Sequence, residues 1–384
     1  MSLPLDYATL RVIWWALMGV LLIGFALTDG FDLGVAALLP FVARDDEERR
    51  MTINTIAATW EGNQVWFILG GGAIFAAWPF VYAVSFSGFY LAMFAVLASL
   101  ILRPVGFKYR SKRPSPAWRA SWDWALFTGG FAPALVFGVA VGNVLQGVPF
   151  RLDSDLRTTF AGTFLGLFTP FTLVCGLLSV SMLVTHGAAW LTVKAEPGAV
   201  RDRARAYGSV AALATMALFA VGGAFIAFGG LGYRIEGAID TTGPSNPLRA
   251  VALAVAAPGA WMTNFDRVPW LWAAPFLGFA GALLAFFGVR AGREAPAFAG
   301  SALSVLGVIA TVGLAMFPFI LPSSLDPRSS LTVWNASSSH LTLFLMLLVT
   351  AIFLPLIVLY TSWVYRVLWG RSTAAALSTN PDLY

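Results

Sequence analysis

Nine apolar stretches, each long enough to cross a bilayer, leave this 384-residue chain few ways to fold. They cover 9–42, 53–77, 79–102, 123–145, 160–192, 206–229, 269–289, 297–321 and 340–366. A helix needs about 20 residues to pass through roughly 30 Å of hydrocarbon, and every stretch reaches that length. Lipid offers the backbone no hydrogen bonds, so continuous apolar runs of this length are expected as helices, and the chain as an all-α polytopic membrane protein. Composition agrees: 11% of residues are charged and mean hydropathy is +0.77, whereas a soluble domain carries about 25% charged residues. The single Cys175 excludes a disulfide framework and reads as a core thiol. The opening MSLPLDYATLR has no basic region and no small-residue cleavage site, so the first helix is expected to stay uncleaved.

Charge sets the orientation. The segments 43–52, 103–122, 193–205, 290–296 and the tail, counting Arg366 with it, hold 17 of the 24 Lys and Arg residues. By the positive-inside rule these segments face the cytoplasm, with the N-terminus outside and the C-terminus inside. The net charge of +5 is then a topology signal, and nucleic-acid binding is a poor reading of it.

A faint internal repeat is also visible. Spans one and five are both long and run into charged turns, RDDEERR and KAEPGAVRDRAR, while spans two and six share GGGAIFAA and VGGAFIAF. A four-helix period gives both halves the same orientation. The expected architecture is one membrane domain, 1–384, of two four-helix bundles, 1–145 and 160–321, plus a ninth helix at 340–366. Chance likeness between glycine-rich helices is the competing account. The segment from Gly230 to Val268, with GPSNP and APG, is expected as a turn-rich cap.

Polar groups inside the spans carry the functional signal, because a charge at membrane depth is costly unless paired or hydrated. WEGNQVW at 60–66 puts Glu61, Asn63 and Gln64 in span two; Glu61 and Gln64, three apart, share a helix face. Amides in bundles also simply join helices, so Asn63 and Gln64 have a structural reading as well. Asp29 and Asp32 share a face of span one, and Arg103 is expected to close span three on its cytoplasmic side. Three acids cannot all be ionised close together in a low dielectric, which is what a proton-conducting site exploits. Glu61 reads as the proton carrier, with Asp29 and Asp32 beside it, and Arg103 as the anchor pairing with an acid of span one.

Metal ligation by this chain is not supported. Its two histidines, His186 and His340, fall at opposite sides of the predicted membrane and read as interfacial. No nucleotide loop, nucleophile elbow or Cys-x-x-Cys occurs. Membrane carboxylates on a repeat would also suit a proton-coupled secondary transporter, which is the alternative function.

The runs GFALTDGFDLGVA, WEGNQVWFILGGGAIFAAWP, SGFYLAM, RPVGFKYRSK, WDWALF, GNVLQGVPF, MFPFILPSS and the closing Leu383–Tyr384 resemble subunit II of the cytochrome bd quinol oxidases, including the cyanide-insensitive ones. The resemblance runs end to end. It implies a bacterial inner-membrane terminal oxidase that oxidises quinol and reduces O2 to water, and so makes the outside the periplasm. It implies that haems b and d, or b alone, sit on subunit I and none on this chain, and that subunit I is the partner. Small single-span subunits can join, and a structural quinone can bind. Carried over by motif, Glu61 is a proton-pathway residue, Trp66 lies near an oxygen entry, and Asp32 and Arg103 support the haem sites. Many members have Asp where this chain has Glu61, so the carboxylate reaches about one methylene further.

Overall fold

Asp6 starts the first helix. In the computed structural model, which describes residues 3–237, 239–250, 254–373 and 375, its carboxylate accepts from Thr9 N at 2.9 Å and satisfies an orphan N–H of the first turn. The closing Leu383–Tyr384 pair lies outside the described residues. Helix α1 (Tyr7–Val42) has 36 residues, about 54 Å at 1.5 Å per residue, so it outruns the hydrocarbon. A short polar helix α2 (Asp46–Asn54), capped by Asp45, precedes α3 (Trp60–Ala77). Pro79 then opens α4 (Pro79–Gly88), and α5 (Tyr90–Tyr109) follows. Ser115 and Pro116 start α6 (Pro116–Gln146); Thr169, in a capping box with Thr172, starts α7 (Pro170–Lys194).

The second half continues with α8 (Ala199–Phe228), the short α9 (Pro247–Ala250) and α10 (Thr263–Arg267), then α11 (Ala273–Ala291), α12 (Glu294–Met316) and α13 (His340–Val367). Three two-stranded ribbons serve only the connections: β1 (Phe150–Leu152) with β2 (Thr158–Phe160), β3 (Tyr233–Ile235) with β4 (Ala254–Ala256), and β5 (Phe319–Leu321) with β6 (Leu331–Thr332). Among the described residues, eight helices are long and apolar enough to cross a membrane. They include neither α3, which is 18 residues long, nor α4.

Helices α1 and α7 cross at the centre of the molecule. A Cβ on Gly34 would lie 2.0 Å from the Leu183 carbonyl oxygen, and one on Gly187 would lie 2.5 Å from the Gly34 carbonyl carbon. Only glycines allow backbones this close. Around the crossing, α1 also packs on α3, α6 and α12, while α7 packs on α6, α8 and α12, and α11 on α8 and α12. Helix α13 leans on α1 and α3, yet only 6% of its apolar window is buried.

The connections gather at two ends. At one, Tyr7 Oη donates to the Ser338 carbonyl at 2.6 Å, Val148 bridges Ser323, and Trp261 Nε1 donates to the Leu145 carbonyl at 3.0 Å. At the other, Arg203 pairs with Glu48 at 2.5 Å, Arg371 with Glu294 at 2.5 Å, and Ala195 bridges Ser372.

Several expected boundaries move. Of the stretch 53–77, residues 53 and 54 end α2, 55–59 form a turn and α3 starts only at Trp60, because the polar WEGNQ run begins a new helix rather than continuing an apolar one. The stretch 79–102 is two helices broken at Phe89 (φ −97°, ψ 23°); Gly88 there makes room for the Phe160 ring, which a Cβ would meet at 2.7 Å. Residues 160–169 belong to β2 and a 3-10 turn, since Thr169 and Pro170 fix the start of α7. Residues 319–321 form β5 instead of extending α12.

Candidate functional site

The TDGFD run sits within α1, where the three-residue spacing aims Asp29 and Asp32 from one face into the interior, both fully buried. Arg103 meets them from α5. Its Nη2 lies 2.5 Å from Asp29 Oδ1 and its Nη1 donates to Asp29 Oδ2 at 3.0 Å, the bidentate fork a guanidinium makes with a carboxylate. The same Nη2 is 4.0 Å from Asp32 Oδ2. Gly129 on α6 seats the arginine stem, since a Cβ there would meet Arg103 Cγ at 2.9 Å.

Asp32 has a second neighbour. Asn63 Nδ2 donates to Asp32 Oδ2 at 2.8 Å, and Tyr365 Oη donates to Asn63 Oδ1 at 2.6 Å. A hydrogen-bonded string thus runs from α1 through α3 to α13. The Trp60 ring lies 5.9 Å from the Arg103 guanidinium. Asp32 Oδ1 and Arg103 Nε have no hydrogen-bond partner among the described residues. One cation faces two carboxylates in a water-poor interior, so this is the most strongly charged buried spot on α1.

The expected group of three acids is not assembled. Glu61 lies on the outward side of α3, exposed, and makes no hydrogen bond or ion pair among the described residues. The reason is helical phase: Trp60, Asn63, Trp66 and Gly70 point inward at helical spacing, which turns Glu61 away. Gln64 is half-buried. Trp66 is buried, its ring packed over Gly24, where a Cβ would meet it at 2.7 Å. Arg103 does not close its helix either: α5 runs on to Tyr109, so it lies inside the body and is fully buried.

His186 is not interfacial. It is fully buried between α1, α7 and α12, with Nδ1 2.8 Å from Ser301 Oγ, Nε2 3.0 Å from the Leu27 carbonyl and its ring stacked on Phe298 at 5.0 Å. His340 is half-buried at the start of α13, its Nε2 2.7 Å from the Leu5 carbonyl.

Sequence reasoning missed three features. Asp123 accepts from Arg110 Nε at 2.5 Å and Arg49 Nη1 at 2.6 Å, while Asp46 pairs with Arg110 at 3.0 Å and Arg119 at 2.7 Å. This network ties α2 to the α5–α6 turn. An acid opening a long apolar stretch that follows a basic run was the available signal. Arg11, buried in α1, donates to Ser337 Oγ at 2.8 Å and to the Thr241 carbonyl at 2.8 Å, so it holds the 230–268 segment against α1. Asp240 beside it has its carboxyl held below the usual range by hydrogen bonds from Thr242. Tyr365 carried no sequence signal, because one phenol among apolar residues looks like an interfacial aromatic.

Residues 10–368 match the family model described as cytochrome bd terminal oxidase subunit II. The chain is 50% identical over 377 residues to "Probable cytochrome oxidase subunit 2" of Haemophilus influenzae, covering 98% of each. It is 50% identical over 376 residues to "Cytochrome bd-I ubiquinol oxidase subunit 2" of Escherichia coli, again 98% of each. Among solved structures, the bd oxidase from Geobacillus thermodenitrificans contains a chain of similar fold, with a TM-score of 0.65 and 17% identity over 94% of this chain and 99% of that one.

Proposed function

We propose how this chain works from the premise that it belongs to the cytochrome bd terminal oxidase subunit II family. It is a subunit of a quinol:O2 oxidoreductase of the respiratory chain and a multi-pass protein of the bacterial inner membrane. The complex uses haem, and a subunit I is its partner. The observation that carries this reading is a match that leaves almost no part of the chain outside it, at 50% identity. Nothing found favours the transporter alternative.

Within that activity the chain is proposed as scaffold and pathway, with the haems b and d, or b alone, on subunit I. The hydrogen bonds of this chain's own histidines support that assignment. Both ring nitrogens of His186 are engaged within the chain, by Ser301 and the Leu27 carbonyl, and His340 Nε2 is engaged by the Leu5 carbonyl. An axial histidine needs a nitrogen for iron, and His186 has neither to spare, which supports placing the haems on the partner; among the described residues His340 has only its Nε2 engaged.

The polar residues divide by what they touch. Arg103 anchors Asp29 and, through it, the packing of α1 on α5. Asp32 is the proposed protonatable group of the string, held in place by Asn63, which Tyr365 orients in turn. Glu61, outward and unpaired among the described residues, is proposed to carry protons at a surface where a partner covers it, since a bare carboxylate is costly against lipid. Gln64 would line that approach and Trp66 the oxygen entry. We also propose that α3 crosses the membrane, giving nine spans in two four-helix bundles plus α13, with the N-terminus periplasmic and the C-terminus cytoplasmic. Quinol and O2 are the substrates of the complex in its lipid; small single-span subunits and a structural quinone complete the proposed assembly.

The test is the visible spectrum of the complex purified with its partner and carrying His186→Gln together with His340→Gln, read per assembled complex. All haem bands should persist at wild-type amplitude. Disappearance of any one band would show that this chain supplies an iron ligand.

A further inference from the structure

The turn joining α5 to α6 gathers more positive charge than the described residues offset. Residues 103–122 hold six cations, Arg103, Lys108, Arg110, Lys112, Arg113 and Arg119, and no acid. Arg103 and Arg110 are engaged inside by Asp29 and Asp123, and Arg119 pairs with Asp46. Lys108, Lys112 and Arg113 are exposed and have no acidic partner among the described residues. The neighbouring α7–α8 turn behaves differently: Arg201, Arg203 and Arg205 each pair with an acid, Glu294, Glu48 and Asp202. Arg110, buried between the exposed cations, leaves its Nη1 without a hydrogen-bond partner among the described residues.

Aromatic rings border the same cations. The Arg113 guanidinium lies 4.7 Å from the Trp118 ring centroid, and Trp118 Nε1 donates to the Tyr109 carbonyl at 2.9 Å. Trp122 meets Trp118 edge-on at 5.8 Å. Tryptophan and tyrosine of membrane proteins collect at headgroup depth, apolar ring inward and N–H outward.

We infer that the α5–α6 turn is a binding site for an anionic phospholipid. Lys108, Lys112 and Arg113 supply charge to the headgroup phosphate, while Trp118 and Trp122 lie beside its glycerol and upper acyl chains. A soluble anion would use the cations but leave the tryptophans without a role; a phosphate carried on acyl chains uses both. Juxtamembrane Lys and Arg clusters attract anionic leaflets in this way, at about fivefold in binding per charge. The leaflet is the inner one, a point that rests on the topology proposed above.

The experiment compares the whole complex, wild type and K108Q/K112Q/R113Q, in nanodiscs of phosphatidylcholine with and without phosphatidylglycerol. Native mass spectrometry then counts lipids kept after partial delipidation. Wild type should retain phosphatidylglycerol in preference to phosphatidylcholine, and the triple variant should lose that preference by about fivefold per charge removed. R290Q/R293Q, which removes charge at another turn of the same end, should keep it. Equal retention by the triple variant overturns the site, and so does equal loss in R290Q/R293Q, which would make the effect one of net charge. Displacement of the lipid by inorganic phosphate alone would also overturn it, in favour of a soluble-anion site. A reporter fused after Arg113 addresses the topology separately: an outer-side signal with preference intact would move the site to the other leaflet and sink only the orientation.

Discussion

Arg103 holds Asp29 with two hydrogen bonds while standing 4.0 Å from Asp32, so removing it leaves two buried acids without their cation. Breaking a buried pair in this one-sided way costs about 3–5 kcal/mol. Arg103→Leu should therefore yield little assembled, haem-loaded complex, measured as haem absorbance per membrane protein. A stable Arg103→Leu complex with full haem content and slow turnover would make the arginine a direct participant in transport. Glu61 calls for the opposite outcome. Exposed and without a partner among the described residues, it contributes little to packing, so Glu61→Gln should leave haem content near normal and slow quinol oxidation. Turnover and pH dependence that match wild type would end its proposed proton role. At this scale the sequence put Arg103 with Asp29 and Asp32, and these do meet, while the contact of Asn63 with Asp32 came only from the fold. The sequence misjudged Glu61 because adjacency in WEGNQVW suggested one cluster, whereas 100° per residue sends Glu61 and Asn63 to different sides of α3.

Glycine placement decides how the elements meet. The α1–α7 crossing leaves 2.0 Å between a hypothetical Gly34 Cβ and the Leu183 carbonyl oxygen, and backbone cannot rotate away as a side chain can. Gly34→Ala must part the two helices, an overpacking cost of about 1–3 kcal/mol, and should lower the thermal midpoint of the complex. Gly222→Ala on α8, where a Cβ would meet nothing within 4 Å, should leave it unchanged; equal shifts in both variants would show that the crossing is not tight. Gly71 and Gly72 likewise have open space around an added Cβ, so the glycine run of α3 makes no close approach within this chain. Element existence was legible from apolar length, and the ends of α1, α3, α6, α8 and α13 fall within one residue of the expected ones, as does the start of α13 behind its Ser339 cap. The starts of α6 and α7 were not legible, because Ser115 with Pro116 and Thr169 with Pro170 set them where apolar length did not. The end of α5 was missed too. Helix α5 passes Arg103 and Pro104 because the guanidinium is neutralised inside by Asp29, a tertiary fact no local pattern carries.

At the scale of the whole molecule, both ends are tied by contacts between connections far apart in sequence, and these groupings agree with the alternation read from charge. Arg203 to Glu48 and Arg371 to Glu294 bring the turns after α1, α7 and α11 to the tail; Arg11 to Ser337 and Thr241 joins the opposite connections. The end that carries Arg203 and Glu48 also carries most of the lysines and arginines. Of the cations counted to that side, Arg103 proves to be internal, which lowers the count by one without changing the bias. Positive charge near span ends resists translocation, so this end should be cytoplasmic. Reporter fusions after Arg50, Arg113, Arg205 and Arg371 should then give cytoplasmic signals, and those at Arg151, Glu236 and Asp326 outer-side signals. The pair Arg50 and Arg113 is the sensitive one for span number. Helix α3 and the α4–α5 pair lie between them, so both report the same side only if α3 crosses. Opposite signals from Arg50 and Arg113 would remove α3 from the spans and leave eight, and reversal at two or more of the seven positions would discard the nine-span arrangement.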